Sequence, residues 1–247
     1  LRSALSQLES GLVLHDPLGH RGGAGVGGGH GGAVEGAEGR WRAGRFFSEL
    51  RAVRGGVDNC GTEAADFGML FQSLEHLAKA TLVLAQSEKI FVLGSSSILA
   101  SFPELGEAGL LDNTFDAGFL LAPVSKGIFD LLKESIGEGS LFEKEKGYYA
   151  DILHPSIVET LPPGWEERLV AVAGFGNVFA LEPMDLAVVK VMVGREKDLA
   201  LVRRLLELGK IGVAELKERW GTMALGEREM FRIGRNLAEV TEGLEAR

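Results

Sequence analysis

Ten of the nineteen residues from Arg21 to Gly39 are glycine, and this run decides how much of the chain is available for a packed fold. Such a stretch has little apolar surface to bury, and each glycine loses more backbone freedom on ordering than any other residue. Near residue 60 the composition becomes that of an ordinary globular protein. We therefore expect residues 1–62 to be a glycine-rich, disordered N-terminal region, residues 63–212 to form the main domain, and residues 213–247 to add C-terminal helices. His20 and His30 stand in the glycine-rich part, and we read them as low-complexity sequence rather than as metal ligands.

Three bounds on function come from composition. The formal net charge of -9 disfavours broad non-specific binding to nucleic acid, although it leaves room for a local basic pocket. A single cysteine, Cys60, rules out an intrachain disulfide and fits a reducing, cytoplasmic setting. The run Gly11-Leu12-Val13-Leu14 is too short for a signal peptide, and no stretch approaches the roughly 20 apolar residues of a membrane helix.

Apolar spacing at Phe67, Leu70, Phe71, Leu74, Leu77 and Ala78 predicts a helix over about 63–80. Lys89 to Leu93 reads as a short buried strand, Thr114 to Leu121 as a second, and Tyr148 to Leu153 as a third. Lys126 to Ile136 reads as a helix stopped by Gly137. Leu169 to Ala173 and Val178 to Leu181 read as a hairpin turned by Gly174-Phe175-Gly176-Asn177. Pro183 opens a helix, at a position where its missing N–H costs nothing, and helical patterning runs on to Leu208. After Gly209 and Gly212, two final helices follow. Strands in the middle and helices at the end indicate an α+β fold rather than a regular βαβ series.

Three places could carry chemistry. Gly94-Ser95-Ser96 lies where a strand gives way to a helix, an arrangement that serves as a plain cap or as a phosphate-binding turn. Asp116 and Gly118 share one face of the second strand, where a pair of carboxylates would suit a hard cation such as Mg²⁺; only Asp116 is acidic. Between Glu182 and Asp198, positions 186, 189 and 193 give an apolar helix stripe while Asp185, Lys190, Arg195 and Asp198 are polar, and by pattern alone they fit a solvated, ion-paired helix face. Gly174-x-Gly176 is not a dinucleotide-binding turn, because a strand follows it instead of a helix. His76 sits among apolar helix positions and is expected to be structural.

Taken in this order, the three pieces resemble the nucleotidyltransferase superfamily. More narrowly, they resemble bacterial proteins grouped with the abortive-infection toxins of type IV toxin–antitoxin systems. The resemblance covers about Thr62 to Ile211 and is carried by Ile90–Leu99, Gly147–Asp151, Leu161–Leu169 and Leu181–Asp198. It implies a nucleotidyltransferase-type mixed β-sheet flanked by helices, with a C-terminal helical segment. It implies that Gly94 and Ser95, with Ser96, hold a nucleoside triphosphate, that Asp116 binds Mg²⁺, and that Lys190 contacts phosphate. Asp185, Arg195 and Asp198 match polar positions near the same pocket, and Asp151 is a candidate for a further carboxylate. Gly118 stands where the family carries its second carboxylate. The implied activity is metal-dependent transfer of a nucleotidyl group, with RNA or an antitoxin protein as partner. The missing ligand leaves a non-catalytic nucleotide-binding or protein-interaction module of the same fold as the alternative.

Overall fold

In a computed structural model of the chain, residues 68–121 and 124–244 are described. The expectations for residues 1–62, including His20, His30 and Cys60, lie outside them.

Five short strands form one mixed sheet in the order β3-β2-β1-β5-β4. They are β1 (Ile90–Val92), β2 (Asp116–Leu121), β3 (Tyr149–Ile152), β4 (Val170–Ala171) and β5 (Val178–Ala180). β1 runs antiparallel to β2 and parallel to β5, β2 is parallel to β3, and β4 closes against β5 as the expected hairpin. Gly174 takes the left-handed backbone conformation that this hairpin turn demands, with φ +83°. β1 has a neighbouring strand on each edge and is buried along its whole length, on both faces, which is why its sequence is a continuous apolar run.

Helix α1 (Phe71–Ala85) buries Leu74, Leu77 and Ala78, the stripe expected from the spacing, but it starts later and ends later than the sequence indicates. Beyond β1 a 3-10 helix (Ser95–Ala100) and the short α2 (Glu104–Glu107) lead to β2. Helices α3 (Lys126–Ile136) and α4 (Leu141–Lys146) lead to β3, each entered through a serine cap, Ser125 and Ser140. α3 packs on α1 and β3. Phe91 of β1 meets the buried Trp165 edge-on at 6.1 Å and Phe179 at 6.3 Å. His76 contacts the Tyr148 hydroxyl through Nδ1 at 2.9 Å and lies against Phe142, so it belongs to a packed cluster as expected.

β5 passes directly into α5 (Pro183–Val193), and the Leu181 N–H donates to the Val92 carbonyl at 2.8 Å. α5 is apolar on almost every side: Met184, Leu186, Ala187, Val188 and Val191 are all buried. Full burial of such side chains stabilises by roughly 1.5–3 kcal/mol each. Helices α6 (Glu196–Glu207), α7 (Val213–Gly221) and α8 (Glu227–Thr241) complete the fold, and all three pack on α5. The helix expected from Pro183 to Leu208 is thus two helices. Gly194 breaks it in the left-handed conformation, φ +70°, with its N–H closing on the Lys190 carbonyl. The architecture is the α+β nucleotidyltransferase-type fold, a mixed sheet flanked by helices with further helices at the C-terminus. Among the described residues, no helix is long and apolar enough to cross a membrane.

Candidate functional site

The C-terminal end of β1 and the N-terminal end of β2 lie side by side because the strands are antiparallel. The Leu93 N–H donates to the Gly118 carbonyl at 3.0 Å, which brings the Gly94 turn against the start of β2. A Cβ on Gly94 would stand 3.5 Å from the Gly118 nitrogen, and one on Gly118 would stand 3.4 Å from the Gly94 nitrogen. The turn and the strand thus lie backbone to backbone, at a separation that would still admit a Cβ at ordinary contact distance. Ser95 is half-buried; Ser96 is fully buried, and its hydroxyl has no hydrogen-bond partner among the described residues.

Strand register chooses a partner for Asp116. In the parallel β2–β3 ladder Asp116 pairs with Tyr149 and Gly118 with Asp151. Residues two apart on a strand share a face, so Asp116, Gly118, Tyr149 and Asp151 stand on one face. Asp116 and Asp151 are diagonal neighbours, with Cα atoms roughly 8 Å apart from strand spacing and rise. Burial raises the Asp151 carboxyl pKa above its ordinary value, and the charges of Asp116 and Glu138 raise it further. Burial likewise holds the Tyr149 hydroxyl protonated, reinforced by Asp116, Glu138 and Asp151. This side of the site therefore carries concentrated negative charge. Among the described residues no group of three or more His, Cys, Asp or Glu side chains is arranged to hold a metal ion.

The opposite side is cationic. The buried Lys190 ammonium donates to Asp198 Oδ1 at 2.7 Å, and Arg195 Nε donates to Asp198 Oδ2 at 2.6 Å. The break at Gly194 makes this possible: it turns the chain so that the first turn of α6 returns Asp198 to Lys190 on α5. Burial pushes the Asp198 carboxyl up, but the hydrogen bonds from Arg195 and Lys190 outweigh it and hold its pKa below the ordinary range. The Arg195 guanidinium pKa is raised, first by its hydrogen bond to Asp198 and also by the charge of Asp116. Arg195 thus feels the carboxylates of both sides. Ser95 and Asp198 line one cavity of about 190 Å³ together with Thr114, Lys197, Leu111 and Leu201.

Six of the residues singled out in the sequence are therefore linked in space. Gly94, Ser95 and Asp116 meet at the β1–β2 junction, the cavity joins Ser95 to Asp198, and Asp198 holds Lys190 and Arg195. Asp185 is placed differently. Its carboxylate receives Arg168 Nε and Nη2 at 2.9 and 3.0 Å and also Arg219 Nη1, and the side chain is fully buried. It ties the N-terminal turn of α5 to the Trp165–Arg168 turn and to α7. Arg168 and Arg219 carry no signal in the sequence, because they lie 17 and 34 residues from Asp185. Lys197 carries none beyond its place next to Asp198.

The sheet order and flanking helices are consistent with a nucleotidyltransferase-type fold. The family model described as a nucleotidyltransferase of unknown function (DUF6036) matches residues 67–228, and the chain belongs to that family. No curated relative and no solved structure matches the chain.

Proposed function

We propose that the chain binds a nucleoside triphosphate between the two charged sides and transfers its nucleotidyl group to an acceptor hydroxyl. The observation that supports this is the position of Asp116: beside the Gly94–Ser95 turn, diagonal to Asp151, and within electrostatic reach of Arg195. A triphosphate with a divalent cation has the complementary charge pattern. Its phosphates suit Lys190, Arg195 and Lys197, and its cation suits the carboxylates.

The donor set fits one Mg²⁺ shared with the triphosphate. Such ions take one or two carboxylates and complete their shell with phosphate oxygens and water. Asp116 and Asp151 would supply the protein's share, and a cation there would relieve the repulsion from Asp116 and Glu138 that adds to the effect of burial on Asp151. When bound, the ion would neutralise phosphate charge and make the acceptor hydroxyl easier to deprotonate. The chain's own residues do the positioning. The Gly94 turn admits phosphate close to the backbone, and Lys190 and Arg195 offset charge on the phosphates as the bond from the acceptor oxygen to the α-phosphorus forms and pyrophosphate departs.

From the likeness of its motifs to abortive-infection toxins we further infer that the protein acts as the toxin of a two-gene module, with RNA or protein as the acceptor and an antitoxin as the partner. Labelled nucleotide from each of the four ribonucleoside triphosphates, followed into RNA and protein fractions with Mg²⁺, tests this, with Asp116→Ala as the blank. Labelling that persists in Asp116→Ala would sink the reading. A second reading, a nucleotide-binding module without transfer, is favoured by Gly118, which offers no ligand. Triphosphate binding without incorporation would select it.

A further inference from the structure

The last turn of a helix leaves four carbonyls without an intrahelical partner. For α5 these belong to Lys190 through Val193, and the segment matters because Lys190 lies in it and Arg195 and Asp198 follow it. Gly194 satisfies the Lys190 carbonyl. The next two are satisfied from α8. Asn236 Nδ2 donates to the Val191 carbonyl at 2.9 Å, and Arg232 Nη2 donates to the Met192 carbonyl at 3.3 Å. Asn236 is buried, at 7% exposure, and its amide nitrogen occupies the space that a Cβ on Gly194 would need. The side chain therefore packs directly against the one residue that turns α5 into α6. α8 lies almost wholly past residue 228, where the family match ends.

We propose that α8 is the clamp that holds the cationic side of the site in register, with Asn236 as its positioning residue and Arg232 in support. Asn236 touches neither triphosphate nor acceptor. It sets the path of Val191 to Gly194, and through that path the angle at which Arg195 and Asp198 return to Lys190. Arg232 adds a positive charge at the helix C-terminus, where it is favourable. The proposal rests on the nucleotide reading for its effect on binding, but not for its effect on the turn.

Asn236→Asp is the decisive variant. It keeps the shape, removes the donor and places a negative charge against the end of α5. We expect the protected amides of Gly194, Asp198 and Leu199 to exchange about tenfold faster, since a buried acceptor loses its partner. We expect the Kd for each Mg²⁺–ribonucleoside triphosphate that the native chain binds to rise by about tenfold, with the melting temperature falling by several degrees while the chain stays folded at the assay temperature. Lowering the pH until the introduced carboxylate is protonated should restore an O–H donor and recover part of both losses, which a purely space-filling role would not do. Arg232→Ala, at an exposed position, gives the same signature more weakly and guards against misfolding of the first variant. Unchanged exchange at Gly194 and Asp198 would overturn the clamp. Faster exchange with native triphosphate affinity would overturn the positioning role. If the native chain binds no triphosphate, the nucleotide reading fails, and the exchange rates alone decide for or against the clamp.

Discussion

Asp185 and Asp198 are both buried aspartates, each facing two cations, yet one closes a structure and the other borders a cavity. At Asp185 both arginines are largely covered, with side-chain exposures of 28% for Arg168 and 18% for Arg219. At Asp198 the lysine is buried, but the Arg195 side chain remains 58% exposed. The Asp185 group ties together three elements far apart in sequence. The Asp198 group joins residues only eight apart and leaves a guanidinium turned to solvent beside the cavity at Ser95. The same ionic chemistry thus serves as a lock where both partners are mostly covered, and in the proposed function it serves as a receptor where one is left to solvent.

The largest expected effect tests the lock. Asp185→Ala strands two partly covered arginines, and breaking a buried pair in this way typically costs about 3–5 kcal/mol. We expect the lower part of that range in urea denaturation, because both arginines retain some water. A loss below about 1 kcal/mol would erase the distinction between the two groups. Next comes Gly194→Ala, which forces a side chain into the left-handed conformation and against Asn236. The conformation alone costs roughly 1–2 kcal/mol. Replacing Asn236 by Ala in the same chain should recover the steric part, giving a non-additive cycle.

The receptor is tested by Asp198→Asn. Its folded pKa is depressed, so ionised Asp198 contributes stability above the ordinary carboxylate pKa of about 3.9, and that contribution is lost as pH falls through the folded value. The variant should lack this part of the acid-unfolding curve. It should also lose about tenfold in affinity for Mg²⁺–triphosphate, by equilibrium binding, because Lys190 and Arg195 lose the charge and one of the two acceptor oxygens that aim them. The smallest change in stability, once Mg²⁺ is present, belongs to Gly118→Asp. The new Cβ meets a Leu153 methyl at 3.2 Å, which a small rotation relieves, and it needs no left-handed backbone. We expect stability to fall by about 1–2 kcal/mol without metal, where the new carboxylate faces Asp151 and Asp116, and to recover when Mg²⁺ is added. Metal-dependent triphosphate affinity should rise, with some transfer gained, as judged against Asp116→Ala. Equal, robust transfer by both forms would show that position 118 is not a ligand position.

The strands and most helices are legible in the sequence because each is an apolar run or a 3.6-residue stripe closed by glycine, proline or serine. For Lys126 to Ile136 the sequence and the structure agree to the residue. The break at Gly194 is not legible, since Val193-Gly194-Arg195 interrupts neither the apolar stripe nor the charges around it. Asp116, Lys190 and Asp198 can be named from the sequence, but their sorting cannot. Asp185 has the same local pattern as Asp198, and only distant arginines set it apart. Asp151 is one candidate among many acidic residues until the register of β3 places it beside Gly118.

The hydrogen bond from Leu181 to Val92 has a mechanical consequence. It fastens the end of β5, two residues before Pro183, to β1, two residues before Gly94. The Gly–Ser turn and the root of α5 are therefore tied to each other through the β1–β5 pair, and Lys190 extends from that tie. Under the proposed function, a pocket that tightens on its ligand would do so most readily by drawing in the β2–β3 edge or the Gly194 elbow, which this bond does not tie down.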